Sequence, residues 1–395
     1  MSRLDDMMRT LAPNGVKYCA LSEVAALQRG VRVVRSQLAV TGEIPVYQNS
    51  LTPMGYHSES NFPKNTTFVI CAGAAGEIGY SDVDFWAADD CTCIVCSEQL
   101  LNRYVYHAML NQQPIILSQV RKASIPRLSR TALEKLIIPV PPIEVQREIV
   151  RILDNFTELT AELTAELTAR QKQYEYYRDQ LLTFVDNGGG TTRSDIKWLP
   201  LSDVILSLNT GLNPRQFFKL NTDDAKNYYI TIREIRNGRI VPNGDTDRMN
   251  DEGLRLCNNR SNLEAGDVLF SGTGTIGETA VIRETPRNWN IKEGVYTIKP
   301  DQRKILPDYL RYLLMTGEIR TAYMKKVAGG TVKSIPMGEL RKLVIPVPTL
   351  TEQKQFVDII SKFDTLSNSL AAGLPAEIAA RQKQYEYYRE KLLTF

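Results

Sequence analysis

Two stretches set chemistry-capable residues at telling spacings. Gly272-Thr273-Gly274-Thr275-Ile276-Gly277 matches G-x-G-x-x-G letter for letter. In a dinucleotide or S-adenosylmethionine site, such glycines come after a strand and open a helix, so that backbone N–H groups meet a phosphate. A strand candidate, 267–270, precedes this run, but the next residues (Glu278-Thr279-Ala280-Val281-Ile282-Arg283) read as a second strand. The first half carries Gly73-Ala74-Ala75-Gly76-Glu77-Ile78-Gly79, which aligns at an offset of 198 and keeps two of the three glycines. A β-turn or bulge used twice is the favoured reading. Cys91-x-Cys93-x-x-Cys96 offers thiols at a zinc-like spacing, yet the chain has only two histidines, His57 and His107, and no second cysteine pair. A buried cluster of strand thiols is expected and no metal site. There is no G-x-x-x-x-G-K-S/T, no nucleophile elbow and no Asn/Asp-Pro-Pro-aromatic motif for base amino methylation. Nothing singles out a catalytic carboxylate pair either.

Cations and amides suited to nucleic acid are more plentiful. Arg29, Arg32 and Arg35 are spaced by three, Lys64 lies further on, and Arg121, Lys122, Arg127 and Arg130 come before the middle of the chain. The second half has Arg215, Lys219, Arg233, Arg236 and Arg239, then Lys325, Lys326 and Lys333 around Gly329-Gly330-Thr331. Any one of these is an ordinary solvated charge. Clusters beside Ser/Thr/Gly loops, Thr331 included, suit phosphate contacts, and Gln48, Asn49, Asn227 and Asn237 are amides able to reach base edges. Net charge is only +3 over 395 residues, so any basic footprint must be local.

The elements that must position these groups are duplicated. ARQKQYEYYRDQLLTF at 169–184 returns as ARQKQYEYYREKLLTF at 380–395, an offset of 211 with 14 of 16 positions identical. Val16-Lys17-Tyr18 with Leu21-Ser22-Glu23-Val24 returns as Ile196-Lys197-Trp198 with Leu201-Ser202-Asp203-Val204 at an offset of 180. Ile138-Pro139-Val140-Pro141 returns as Ile345-Pro346-Val347-Pro348 at an offset of 207. Repetition at half the chain length means two domain-sized copies. Each copy reads as mixed structure with short strands (68–71 and 93–96 in the first) and a short helix, 100–110 or 308–314. The proline segments read as extended hinges. Extra residues at 221–262 read as a surface-loop insertion.

Beyond the first hinge, residues 143–184 read as one helix, with an apolar stripe through Ile149, Ile152, Phe156, Leu159, Leu163, Tyr177, Leu181 and Phe184. About 40 residues give a rod of about 60 Å, which needs a partner helix along it. Its repeat at 352–395 is the natural partner, broken at Gly373-Leu374-Pro375. Thr160-Ala161-Glu162-Leu163 and Thr164-Ala165-Glu166-Leu167 repeat a tetrapeptide. One more copy adds roughly 6 Å and roughly 40° of rotation, against roughly 3.4 Å and 35° for a base pair. The run can therefore act as a ruler as well as a helix filler.

The hinges, the TAEL run and the twin RQKQYEYYR stretches together resemble the specificity subunit of type I restriction–modification systems, of the subgroup with tetrapeptide spacer repeats. The resemblance runs end to end. It implies an α+β chain with an internal pseudo-twofold repeat, in which two mixed α/β target-recognition domains are separated by two long helices packed as an antiparallel coiled coil. The domains expected are an arm (1–15), a first recognition domain (16–141), a spacer helix (142–185), a linker (186–195), a second recognition domain (196–348) and a second spacer helix (349–395). Each recognition domain would read one half of a split, asymmetric site in double-stranded DNA. The helices would bind two methyltransferase subunits, with Tyr174, Tyr176, Tyr177, Tyr385, Tyr387 and Tyr388 as packing and partner contacts, and two motor-nuclease subunits would join. S-adenosylmethionine, ATP and Mg would sit on those partners, leaving this chain without catalysis. Reduced cysteines, no leader-like start and no run of 18 apolar residues fit the cytoplasm. The competing readings are a coiled-coil scaffold without a DNA role and a stand-alone methyltransferase.

Overall fold

The structure, a computed structural model, describes residues 3–184, 196–214, 217–330, 332–368 and 373–395, with backbone only at 365–368. The linker expected at 186–195 lies outside the described residues, as do Arg215 and Thr331. The chain divides into two compact units: Met1–Leu163 with Ile378–Phe395, and Thr164–Glu377. This division cuts through the expected spacer helices. The long helix Ile143–Leu182 gives its first part to one unit and its remainder to the other. Apolar surface explains this: each part of a rod joins the core that covers it.

In the first unit the central sheet is antiparallel, in the order Ala25–Arg29, Cys91–Cys96, Thr66–Ile70 and Ile78–Ser81. Thr66–Ile70 is buried at every position, as the middle strand of a sheet covered on both faces must be. A small second sheet places Ile44–Tyr47 between Tyr56–His57 and, in parallel, Trp86–Ala87. Helix Asn102–Asn111 buries Tyr104, Val105, Ala108 and Met109 in a core that also takes Ile149 and Leu153 of the long helix and Tyr385 and Leu393 of helix Leu374–Leu393. Phe156 stacks on Tyr388 at 5.3 Å. The expected arm is a docked helix, Arg3–Leu11, with Leu4 buried in this core.

The second unit repeats the plan. Its sheet order is Ile205–Thr210, Val295–Pro300, Val268–Ser271 and Thr279–Val281. Asn227–Ile230 lies between Arg248–Met249 and, in parallel, Trp289–Ile291. Helix Pro307–Leu314 answers Asn102–Asn111. Tyr177 stacks on Phe363 and Phe184 meets Phe356, so the long helix and helix Leu350–Asn368 run antiparallel here. The chain is thus α+β, with two mixed units and antiparallel helix pairing.

Two expectations need correction. The proline segments are strands rather than free hinges. Ile137–Val140 pairs with Lys17–Ala20, and Val344–Val347 with Lys197–Pro200. Each ladder has two strands, so a proline that cannot donate is tolerated at the edge. Pro139 lies opposite Tyr18 and Pro346 opposite Trp198, so the opening motif and the proline motif of each half are two sides of one ladder. The insertion at 221–262 is not a plain loop. It contributes the paired strands Asn227–Ile230 and Arg248–Met249, the hairpin strands Ile235–Arg236 and Arg239–Ile240, and helix Asp251–Ser261. Part of it surrounds a small core of Leu212, Tyr229, Met249 and Cys257.

Candidate nucleic-acid interface

Each unit builds the same small device at the tip of its central hairpin. The turn after Thr66–Ile70 is closed by Gly76 N–H donating to Ile70 O (2.9 Å) and Ile70 N–H to Glu77 O (2.9 Å). The turn after Val268–Ser271 repeats this with Gly277 N–H to Ser271 O (3.0 Å) and Ser271 N–H to Glu278 O (2.8 Å). Gly73, Gly76, Gly274 and Gly277 all have φ between 78° and 100°, a region where a Cβ is strained. The glycine runs therefore match at an offset of 201, and the sequence alignment at 198 is corrected. Gly79 lies inside a strand, where a Cβ would press on the Phe68 ring at 2.3 Å. The G-x-G-x-x-G turn leads into strand Thr279–Val281, not a helix, so it lacks the N-terminus a cofactor pyrophosphate would use.

A second loop lies across each turn. In the first unit Arg121 and Arg127 exchange backbone hydrogen bonds (2.8 and 3.2 Å), Leu128 N–H donates to Cys71 O (2.9 Å), and Gly73 N–H to Pro126 O (3.2 Å). In the second, Ala328 and Ser334 exchange bonds (both 2.8 Å), Ile335 N–H donates to Gly272 O (2.9 Å), and Gly274 N–H to Lys333 O (2.9 Å). The bonds correspond one to one. Arg121, Lys122 and Arg127 on the first loop are exposed, as are Lys325, Lys326 and Lys333 on and before the second.

The amides and other cations converge only in part. Asn49 is brought to the turn: Ala74 N–H donates to Asn49 O (2.9 Å), and a Cβ on Gly73 would lie 2.8 Å from Asn49 Cβ. Gln48 reaches the Asp90 carboxylate at 3.5 Å, and Cys71 N–H donates to Asp90 O (2.7 Å). Arg29 is held nearby by Asp89 O at 2.6 Å. In the second unit Arg233, Arg236 and Asn237 share a cleft with Thr275 and Glu278 of the turn. Arg233 is paired with Asp247 (3.0 Å). Arg32 and Arg35 are exposed on a separate loop, beside the small core of Val33, Val46 and Ala88. Lys64 sits at the far end of the central hairpin, its N–H bonded to Asp84. Lys219 flanks the core of the insertion. Asn227 is buried with its amide on Asp251 and leaves the set of base-reading candidates.

The family comparison decides between the readings of this duplicated device. The model of the type I restriction modification DNA specificity domain matches residues 13–170 and again 194–380. The chain belongs to the type I restriction–modification specificity family. It is 33% identical to the EcoR124I/EcoR124II specificity subunit of Escherichia coli, over 95% of this chain and 98% of that one. It is 32% identical to a Haemophilus influenzae protein assigned as a type I restriction enzyme specificity subunit, over 98% and 97%. The fold is also that of a solved type I S subunit from M. genitalium, with a TM-score of 0.60 at 15% identity and 96% coverage of each chain. The chain is thus a DNA-recognition subunit of a restriction–modification complex.

The twin tyrosines of this specificity subunit have divided roles. Tyr174 and Tyr385 are 4% and 8% exposed and belong to the cores of their own units. Internal packing occupies them, and they leave the list of partner contacts. Tyr176, Tyr177 and Tyr387 are exposed, at 60%, 44% and 58%.

Buried polar locks, which the sequence did not flag, hold the helices to each unit. Gln146, fully buried, accepts from Leu101 N–H (2.9 Å) and donates to Gln99 O and Pro141 O (both 2.8 Å). Gln353 accepts from Leu306 N–H (2.8 Å) and donates to Lys304 O and Pro348 O (both 2.9 Å). The two glutamines share the proline motif's offset of 207, and that was the available signal.

Further along, the locks differ. His107 in the first unit sits between Asp154 (2.8 Å) and the Tyr385 hydroxyl (3.2 Å). Burial pushes its pKa down, against the Asp154 carboxylate, so the ring is neutral. Nε2–H then donates to Asp154, and Nδ1 accepts from Tyr385. Burial works against the Asp154 charge, but His107 and Arg103 outweigh it and hold the carboxyl low. In the second unit Tyr312 (3.1 Å) and buried Arg311 (3.1 Å) both reach Asp364.

No group of three or more His, Cys, Asp or Glu suited to a metal occurs among the described residues. Cys91 and Cys93 are buried, and burial drives both thiols far up. Cys96 is pushed up to about 12 by the same cause. Thiolate ligation is thereby disfavoured.

Proposed function

We propose that each unit reads one half of a bipartite, asymmetric site in duplex DNA, and that the long helices set the spacing between the halves. The observation that carries this is the glycine turn crossed by a pinned basic loop, built twice from sequences that otherwise diverge. The exposed side chains of that device supply the contacts: Asn49, Arg121, Lys122 and Arg127 in the first unit, and Arg233, Arg236, Lys325, Lys326 and Lys333 in the second. Arg29, Gln48, Arg32 and Arg35 flank it.

The near-identical helix stretches present exposed Tyr176, Tyr177 and Tyr387 to two copies of a methyltransferase partner. Two motor-nuclease subunits complete the assembly. S-adenosylmethionine, ATP and Mg belong to those partners, the chain itself is non-catalytic, and the complex works in the cytoplasm. No helix among the described residues is long and apolar enough to cross a membrane.

One experiment tests both parts. Methylated adenines are mapped genome-wide for the wild-type complex, for a chimaera carrying another family member's residues 16–137, and for a deletion of 164–167. The chimaera is expected to change one half-site alone, and the deletion to shorten the spacer alone. A change in both half-sites, or an unchanged spacer, overturns the corresponding part. Duplex binding that does not weaken with salt would favour a scaffold without a DNA role.

A further inference from the structure

The two pinned loops share a feature that their charges do not explain. At the same step of each loop, one residue before the carbonyl that accepts from the glycine turn, stands a β-branched apolar residue facing solvent. These are Ile125, 54% exposed, and Val332, 61% exposed. Their flanks differ, since Arg121 corresponds to Ala328, Pro126 to Lys333 and Arg127 to Ser334. The apolar tip and the hydrogen bonds that fix the loop's feet are what persist. The pinned carbonyl next to each residue fixes the backbone there relative to the glycine turn. Isolated exposed apolar residues are ordinary. A β-branched apolar residue exposed at the same step of both loops, beside a carbonyl pinned by the same bond and with exposed cations on or before the loop, is not.

We propose that Ile125 and Val332 are specificity-determining residues, each packing on the 5-methyl group of one thymine in the major groove of its half-site. This rests on the DNA-reading function proposed above. The chemistry selects the target. The basic rim draws the loop to phosphates, which carry no sequence information. Among base edges, the thymine methyl is the only apolar group, and it is displayed in the major groove. A branched aliphatic tip has no hydrogen bond to offer and gains only by covering such a group. The glycine turn pins the carbonyl next to each of these residues, and Asn49 in the first unit and Asn237 in the second lie against the same turns.

The test uses the assembled complex with its methyltransferase partner. The wild-type site is first mapped. Duplexes are then made in which each thymine in turn is replaced by deoxyuridine, which removes only the methyl group. Methylation rates are measured with wild type, Ile125→Ala and Val332→Ala. Losing one buried methyl corresponds to about a fourfold drop. The expected result is one sensitive thymine per half-site in the wild type. Sensitivity should vanish in one half-site with Ile125→Ala and in the other with Val332→Ala. Both tips are exposed, so neither variant threatens folding. Wild-type indifference to every deoxyuridine, or sensitivity that survives both variants, overturns the proposal while leaving DNA reading intact. A wild-type complex that methylates no bipartite site overturns both.

Discussion

Replacing Gln353 with methionine should loosen the second unit and spare the first. The side chain is fully buried and makes three hydrogen bonds, to Leu306 N–H, Lys304 O and Pro348 O. Methionine fills a similar volume, so little of the effect comes from packing. What remains is one backbone donor and two acceptors stripped of their partner. At about 1–3 kcal/mol for each buried group left unpaired, with Lys304 O close enough to the surface to recruit water, the cost is about 4 kcal/mol. That corresponds to roughly a thousandfold rise in the local opening equilibrium. Hydrogen exchange read by mass spectrometry on the peptide containing Leu306, compared with that containing Leu101, measures it. Gln146→Met should give the mirror result. Gln353→Glu should be no better near neutrality, because a second oxygen would face two carbonyls, and should recover partly in acid, where the carboxyl donates once. A change below tenfold at Leu306, or an equal change at Leu101, would refute the reasoning.

The same geometry sets two further outcomes. His107 has a folded-state pKa below its ordinary 6.5 because burial disfavours the imidazolium. The unfolded chain therefore takes up a proton first. Stability of the first unit is full above about pH 6.5 and falls as pH drops through the folded pKa, by up to about 1.4 kcal/mol per pH unit. Urea denaturation at pH 5.5 and 7.5, followed peptide by peptide, should show the loss in the first unit. It should show much less in the second, where Arg311 keeps its charge, and His107→Gln should flatten the difference. Gly277→Val should cost the second unit about 3 kcal/mol, since its Cβ would lie 2.2 Å from the Tyr323 hydroxyl at φ 100°. Gly274→Ala, with φ 78° and open space around it, should cost about 1 kcal/mol, and equal costs in urea melts would contradict this account.

Duplication, the family and the helices were legible in the chain alone. Helical periodicity and near-identity over 16 residues are local signals, and local signals survive without coordinates. The core strands read at 68–71, 93–96 and 267–270 were also legible to within a few residues, because runs such as Phe68-Val69-Ile70 are apolar whichever neighbour covers them.

Other features became visible only with the fold. The alignment of the glycine runs slipped by three residues, because letters cannot show which glycine carries a positive φ. The proline segments looked like hinges until Tyr18 and Trp198 were found opposite them, more than a hundred residues away in sequence. Tyr174 was indistinguishable from Tyr176 by letter and spacing. Burial in the second unit's core separates them, and burial is set by what arrives from elsewhere in the chain. The pinned loops are the sharpest instance. Ile125 and Val332 become equivalent through backbone hydrogen bonds to glycine turns some fifty to sixty residues earlier. Sequence determined that two copies of one unit exist and what lies locally within each, because that information is written in neighbouring residues. Tertiary structure alone decided which residues face the solvent together, because such pairings depend on long-range contacts that no local pattern encodes.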